Sequence, residues 1–106
     1  MITIEDFNNL NIVVGKIIEI EKLPKSDKLF KIVVDLGTSK NQMVAGGANI
    51  YSLDDLMGKQ VVVLVNLEPK VIRGIESKGM LLAADVKGKP IWLTVDEEVP
   101  LGTRVR

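Results

Sequence analysis

Three observations predict an all-β fold. Short apolar runs, alternating or continuous, recur along the 106-residue chain, turn residues separate them, and helical patterning is confined to two brief stretches. Read in order, the runs give three antiparallel strands, a short helix and two further strands, with flanking residues at both ends. That is the order of a five-stranded Greek-key OB barrel with a short helix between strands 3 and 4. An SH3-like barrel is the alternative, and the position of the helix argues against it.

The N-terminal residues Thr3-Ile4-Glu5-Asp6-Phe7 read as a helix start. Thr3 is the cap, and Asp6 three residues on completes a capping-box pattern. From Asn11 to Leu23 the pattern becomes strand-like: Ile12, Val14, Ile18 and Ile20 share one parity, and Gly15 suggests a bulge or bend. Leu23 to Asp27 is a turn, because proline cannot continue a ladder. Phe30, Ile32, Val34 and Leu36 alternate with more polar neighbours in a half-buried second strand. Gly37 to Asn41 connects it to a third strand, Gln42 to Ala45.

Gly46-Gly47 ends the third strand. Ser52 caps a helical turn with acids at Asp54 and Asp55 and a stop at Gly58. Gln60 to Val65 is a continuous apolar strand, and Gly79 to Val86 the fifth. Between them, Asn66 to Gly79 is expected to be an exposed loop. Lys87 to Pro90 turns the chain into Ile91 to Val95, and Gly102 to Arg106 is placed as an edge strand.

Length and composition bound the function. The chain is read as one domain, 1–106, with an N-terminal helical extension over 1–10 and a C-terminal extension over 87–106. It contains no cysteine and no histidine, which removes thiol nucleophiles, imidazole bases and zinc sites of the Cys/His type. The acid pairs Asp54/Asp55 and Glu97/Glu98 sit at a helix start and a turn, where solvation accounts for them. Gly46-Gly47-Ala48 lacks the lysine and long helix of a phosphate loop. The sequence therefore predicts a binding protein rather than an enzyme, with no cofactor and no metal. No apolar run approaches the ~20 residues that span a bilayer, so a soluble, cytoplasmic protein with no membrane partner is expected.

Fourteen basic and fourteen acidic residues cancel, so any attraction for nucleic acid must be local. Bases gather at Lys22, Lys25, Lys28 and Lys31, and again at Lys70, Arg73 and Lys78. The second group occupies the loop between two buried strands, where a rigid scaffold displays binding residues. Lys70, Arg73 and Lys78 suit phosphates. Asn66 and Ser77 offer hydrogen bonds to bases or 2′-hydroxyls, and Met80 a polarizable surface for a base. Equally, these lysines suit solvated loop positions and Met80 a core position. With Phe7, Phe30, Tyr51 and Trp92 as the only aromatics, an aromatic stacking platform is thin. Recognition of a folded RNA by shape and backbone is favoured.

The stretch VNLEPKVIRGIESKGMLLAA, Val65 to Ala84, resembles the signature of the tRNA-binding OB domain. The upstream segments VGKIIEIEKLPKSDKLFKIVVDLG and IYSLDDLMGKQVVV resemble the same domain's opening and its helix and fourth strand. That domain occurs in or beside methionyl-tRNA synthetase and in small free-standing homodimers. The resemblance implies a non-catalytic module that holds the outer corner of tRNA and assists aminoacylation. By position, the tRNA contacts fall on Asn66, Lys70, Arg73, Ser77 and Met80, with Lys28 and Lys31 as outlying phosphate contacts. A methionyl-tRNA synthetase catalytic subunit is an implied partner.

The resemblance also implies a homodimer formed through terminal dimerisation extensions. Apolar residues at Ile4, Phe7 and Leu10 and at Trp92, Leu93 and Leu101 supply candidate contacts. The alternative function is a peptide-binding, chaperone-like homodimer of the same fold.

Overall fold

A computed structural model describes residues 1–106 as a five-stranded, nearly closed antiparallel barrel with little helix. The strands are β1 (Ile12–Lys22), β2 (Leu29–Asp35), β3 (Lys40–Gly46), β4 (Gln60–Leu64), β5 (Lys70–Ile72), β6 (Ile75–Ser77), β7 (Met80–Leu81), β8 (Ala83–Val86) and β9 (Lys89–Trp92). The helices are α1 (Ile4–Asn8) and α2 (Leu53–Leu56). The main sheet runs in the order β3-β2-β1-β4-β7, and β5-β6 and β8-β9 form separate hairpins. This is the predicted OB-type barrel, with α2 between the third and fourth strands.

The second strand forms as its alternation requires. Phe30, Ile32, Val34 and Leu36 are buried with Met43 and Ala45 of β3 in one core, joined by Val13, Ile17, Val61 and Val63. Strand β1 serves two neighbours: Ile12 to Lys16 pair with β4, and Lys16 to Lys22 pair with β2. The register shifts between Ile17 and Glu19, so the irregularity lies at Ile18 and not at Gly15. This shift corrects the single parity expected from sequence. Val13 and Ile17 enter the core before the bulge, and Ile20, of the other parity, packs on it afterwards. Gly15 has a different purpose. A Cβ there would overlap the Val34 side chain and stand 3.1 Å from the Asp35 carbonyl, so glycine lets β2 lie against β1.

The two predicted caps are present. Thr3 and Asp6 form a reciprocal capping box at α1, and the Ser52 hydroxyl accepts from the Asp55 amide at 3.3 Å. Phe7 of α1 packs on a second apolar cluster of Ile12, Val62 and Leu64, which Leu82 and Val105 also cover. The Arg104 guanidinium donates to the carbonyls of Asn8 and Leu10, both at 3.0 Å, so the two ends of the chain hold one another.

Two of the strands predicted for the C-terminal part of the chain need correction. The expected fifth strand is broken at Leu82, whose amide donates to Val62 and whose carbonyl accepts from Leu93. The pieces are β7, paired with β4 over two residues, and β8, paired with β9. At the C-terminus the expected edge strand is a single bridge between Val13 and Arg104.

The seam between β3 and the β6–β7 segment closes the barrel. One backbone bond crosses it, from the Lys78 amide to the Gln42 carbonyl at 2.8 Å. Three bonds through side chains complete it. Asn41 donates to the Lys78 carbonyl, Gln42 donates to the Glu76 carbonyl, and the Ser77 hydroxyl accepts from the Val44 amide.

Candidate nucleic-acid interface

The expected loop from Asn66 to Gly79 contains a hairpin. Strands β5 and β6 pair Lys70 with Ser77, Val71 with Glu76 and Ile72 with Ile75, leaving Arg73-Gly74 as a two-residue turn. Both turn residues have positive φ, 53° at Arg73 and 79° at Gly74, as a type I′ hairpin requires. The signal was the alternation of Val71-Ile72 and Ile75 about Arg73-Gly74, short enough to pass for loop. Ile72 and Ile75 are half-buried, while Lys70, Val71, Arg73 and Glu76 are exposed. Nothing lies within 4 Å of a Cβ placed on Gly74, so the tip stands clear of the barrel.

Of the predicted site residues, the hairpin holds Lys70, Arg73 and Ser77, and Lys78 and Met80 follow it. Lys70 lies on its first strand and Arg73 at its tip, and neither makes an ion pair. Lys78 follows its second strand and meets Glu76 at 3.5 Å, with both side chains more than half exposed. Such a pair contributes little, so the Lys78 ammonium remains open to another anion. Met80 opens β7 and stays 44% exposed, a surface position rather than a core one.

Two predicted contacts bond to their own chain, Asn66 at the surface and Ser77 in the interior. The Asn66 carboxamide accepts from the Asn11 amide at 2.8 Å and donates to the Asn9 carbonyl at 2.7 Å, clamping the chain after α1 to the end of β4. Ser77 is 5% exposed, and its hydroxyl joins Val44 to the Gly79 carbonyl. It acts as part of the seam and presents no group to solvent.

The two upstream lysines lie apart from the hairpin. Lys31 is on the outer face of β2, paired with Glu21 at 3.4 Å, and lines a cleft of about 400 Å³ with Ile18, Val33, Gln42 and Met57. Gln42 links this cleft to the hairpin through its bond to Glu76. Lys28 ends the β1–β2 connection and is exposed. The outer face of the second and third strands, flanked by the loops after the first and fourth, is where OB folds take oligonucleotides and oligosaccharides.

The candidate dimer residues are divided. Ile4, Leu10 and Leu93 are exposed, and Phe7 and Leu101 are half-buried. Trp92 turns onto its own barrel: its indole donates to the Gly46 carbonyl at 3.0 Å and meets Phe30 edge-on, centroids 5.9 Å apart. The Tyr51 hydroxyl accepts from the Trp92 amide, so this ring plugs the barrel end within one chain.

Residues 12–104 match the family model tRNA_bind, described as "Putative tRNA binding domain". The chain belongs to this tRNA-binding family. The methionine–tRNA ligase of Thermococcus onnurineus is 51% identical over 102 residues, which are 96% of this chain and 14% of the ligase. The chain thus spans about one-seventh of that relative. Among solved structures, the MetRS-related protein of Pyrococcus horikoshii superposes with a TM-score of 0.93 at 36% identity, covering 100% of this chain and 98% of that one. The chaperone CsaA of Bacillus anthracis superposes with a TM-score of 0.90 at 29% identity, covering 100% and 99%. The tRNA_bind match takes in the whole barrel, the β5–β6 hairpin and the cleft beside Lys31.

Proposed function

We propose that this chain is a non-catalytic module that grips the sugar–phosphate backbone of a folded tRNA through the β5–β6 hairpin and the adjoining β2–β3 face. The observation that carries the reading is the tip of the hairpin. Arg73 stands on an exposed type I′ turn with Lys70 on the same hairpin, and both cations are free of carboxylate partners. On a chain of zero net charge, such a local display attracts phosphate without making the whole surface adhesive. Lys78, Met80 and Lys31 extend the contact. Asn66 and Ser77 support it by holding the hairpin's frame.

The same reading makes the chain an accessory to aminoacylation, as part or companion of a methionyl-tRNA synthetase in the cytoplasm. It forms one unit over 1–106 and pairs with a second copy through the exposed Ile4, Leu10 and Leu93. Total tRNA titrated across a salt series tests the RNA contact. Lys70→Ala and Arg73→Ala each weaken binding and flatten its salt dependence by about 1 in the logarithmic slope. If neither substitution changes binding, the hairpin is not the contact.

A peptide-binding, chaperone-like function is the second reading. It is favoured by exposed Leu67, Val71 and Met80 around the hairpin and by the likeness to CsaA. Competition decides between them: unfolded peptide that displaces tRNA shares its site, and peptide that binds where tRNA does not bind at all replaces the first reading.

A further inference from the structure

An open cleft of about 580 Å³ lies between the end of β3 and the β8–β9 hairpin. Lys28, Lys87 and Lys89 line it, and no acidic residue does. None of these three lysines is in an ion pair, since the chain's two salt bridges use Lys31 and Lys78. The nearest carboxylates in sequence are Asp27, beside Lys28, and Asp85, which accepts from the Gly88 amide at 2.7 Å and closes the hairpin turn.

The floor is bare and fixed. Gly46 and Gly47 carry no side chain, and a Cβ on Gly46 would stand 3.5 Å from the Pro90 ring. The amides of Gly47 and Ala48 donate to the Lys28 carbonyl at 2.9 and 3.1 Å, and the Gly46 carbonyl accepts from the Trp92 indole. With those backbone groups engaged, the lysine ammoniums and the exposed Asn49 side chain are what the cleft offers a ligand. Three lysines lining one cleft that has no carboxylate in its wall suit a phosphate-type anion.

Backbone conformation singles out the same hairpin. The non-glycine residues with positive φ are Lys25, Arg73 and Lys87, at 63°, 53° and 54°, and all three are basic. Lysine and arginine lack the short side-chain hydrogen bonds that ease asparagine or aspartate into this region. Arg73 and Lys87 occupy equivalent places, each the first residue of a two-residue turn completed by glycine. Strain that recurs on cations at loop tips points to a use for them. The cleft also adjoins the proposed RNA contact: Gly46 follows Val44, the seam partner of Ser77, by two residues of β3, about 7 Å along the strand.

We infer that this cleft is a second phosphate-binding site, in which Lys28, Lys87 and Lys89 hold the backbone of the same tRNA gripped at Arg73. This rests on the tRNA reading above. Its test compares the whole chain, Lys70→Ala/Arg73→Ala, Lys87→Ala/Lys89→Ala and Lys87→Arg/Lys89→Arg, each titrated with total tRNA across a salt series. Loss of two contacts lowers the logarithmic salt slope of the alanine pair by about 1.4–1.8, and the arginine pair retains the slope. Thermal melting confirms that each variant is folded. If Lys87→Ala/Lys89→Ala binds with the parent's affinity and slope while Lys70→Ala/Arg73→Ala is weakened, the cleft is no phosphate site and the tRNA reading stands. If the parent chain shows no salt-sensitive tRNA binding, both readings fall.

Discussion

Replacing Arg73 with glycine separates the two properties that its position combines. At φ 53°, any residue with a Cβ carries a conformational penalty of about 1–2 kcal/mol. Glycine removes that penalty but gives the unfolded chain extra freedom of about 0.5–1 kcal/mol. No compensating loss of packing arises, because the arginine is exposed, makes no ion pair and sits beside open space at Gly74. Taken at the midpoints of these ranges, the balance leaves Arg73→Gly more stable than the parent by about 0.7 kcal/mol. For a domain of this size that raises Tm by roughly 2–8 °C. Arg73→Ala retains the Cβ at the same φ and stays within about 0.5 kcal/mol of the parent. Both variants lose the guanidinium, so both bind tRNA more weakly, with a salt slope lower by about 1. Thermal unfolding by circular dichroism and filter binding on the same preparations read the two effects. A glycine variant that melts below the alanine variant would refute the strain argument. Undiminished tRNA binding by both would refute the contact.

Three substitutions probe the frame. Ser77→Ala deprives the Val44 amide of its acceptor at a buried position and destabilises by about 1–3 kcal/mol, seen as a lower urea midpoint, while the folded protein keeps most of its tRNA affinity. A large affinity loss at unchanged stability would return Ser77 to the RNA contacts. Gly15→Ala drives a methyl into the Val34 side chain and to 2.9 Å from Leu36 Cδ2, which costs about 1–3 kcal/mol by overpacking; an unchanged Tm would contradict it. Gln60→Ala removes two bonds to Val99, at 2.7 and 3.0 Å, and costs roughly 1–3 kcal/mol. Limited proteolysis should then cut first between Val95 and Arg106, and an unchanged cleavage pattern would show that other contacts hold this segment.

What was legible in the sequence was local. The alternation of Phe30, Ile32, Val34 and Leu36 identifies a half-buried strand because the side-chain period of a strand is two, and both helix caps join residues three apart in sequence. Element order then leads to the barrel. What sequence reasoning missed depends on distant partners. The parity of β1 changes at Ile18 because the strand turns from β4 to β2, and β4 lies more than thirty residues further along the chain. Leu82 breaks the fifth strand because its backbone bonds reach Val62 and Leu93. Hydropathy marks Trp92 as apolar without saying that its own chain provides Gly46, Phe30 and Tyr51 to receive it.

The candidate site divides along the same line. The cations of the hairpin announce themselves by charge and spacing. Polar residues do not reveal where their hydrogen bonds go, so the sequence does not show that Asn66 and Ser77 bond to their own chain, nor that Gln42 links the Lys31 cleft to the hairpin.

The way the barrel closes bears on how firmly it holds what it binds. β2 joins β3 through seven residue pairs, whereas the seam beside the hairpin has one backbone bond and three bonds made by side chains. Native-state hydrogen exchange should therefore release the Lys78 and Val44 amides well before those at the centre of β1 and β2. The jaw that carries Arg73 is hinged on a latch written in side chains. Its stiffness can be reset by a single change at Asn41, Gln42 or Ser77, without redrawing the sheet that supports it.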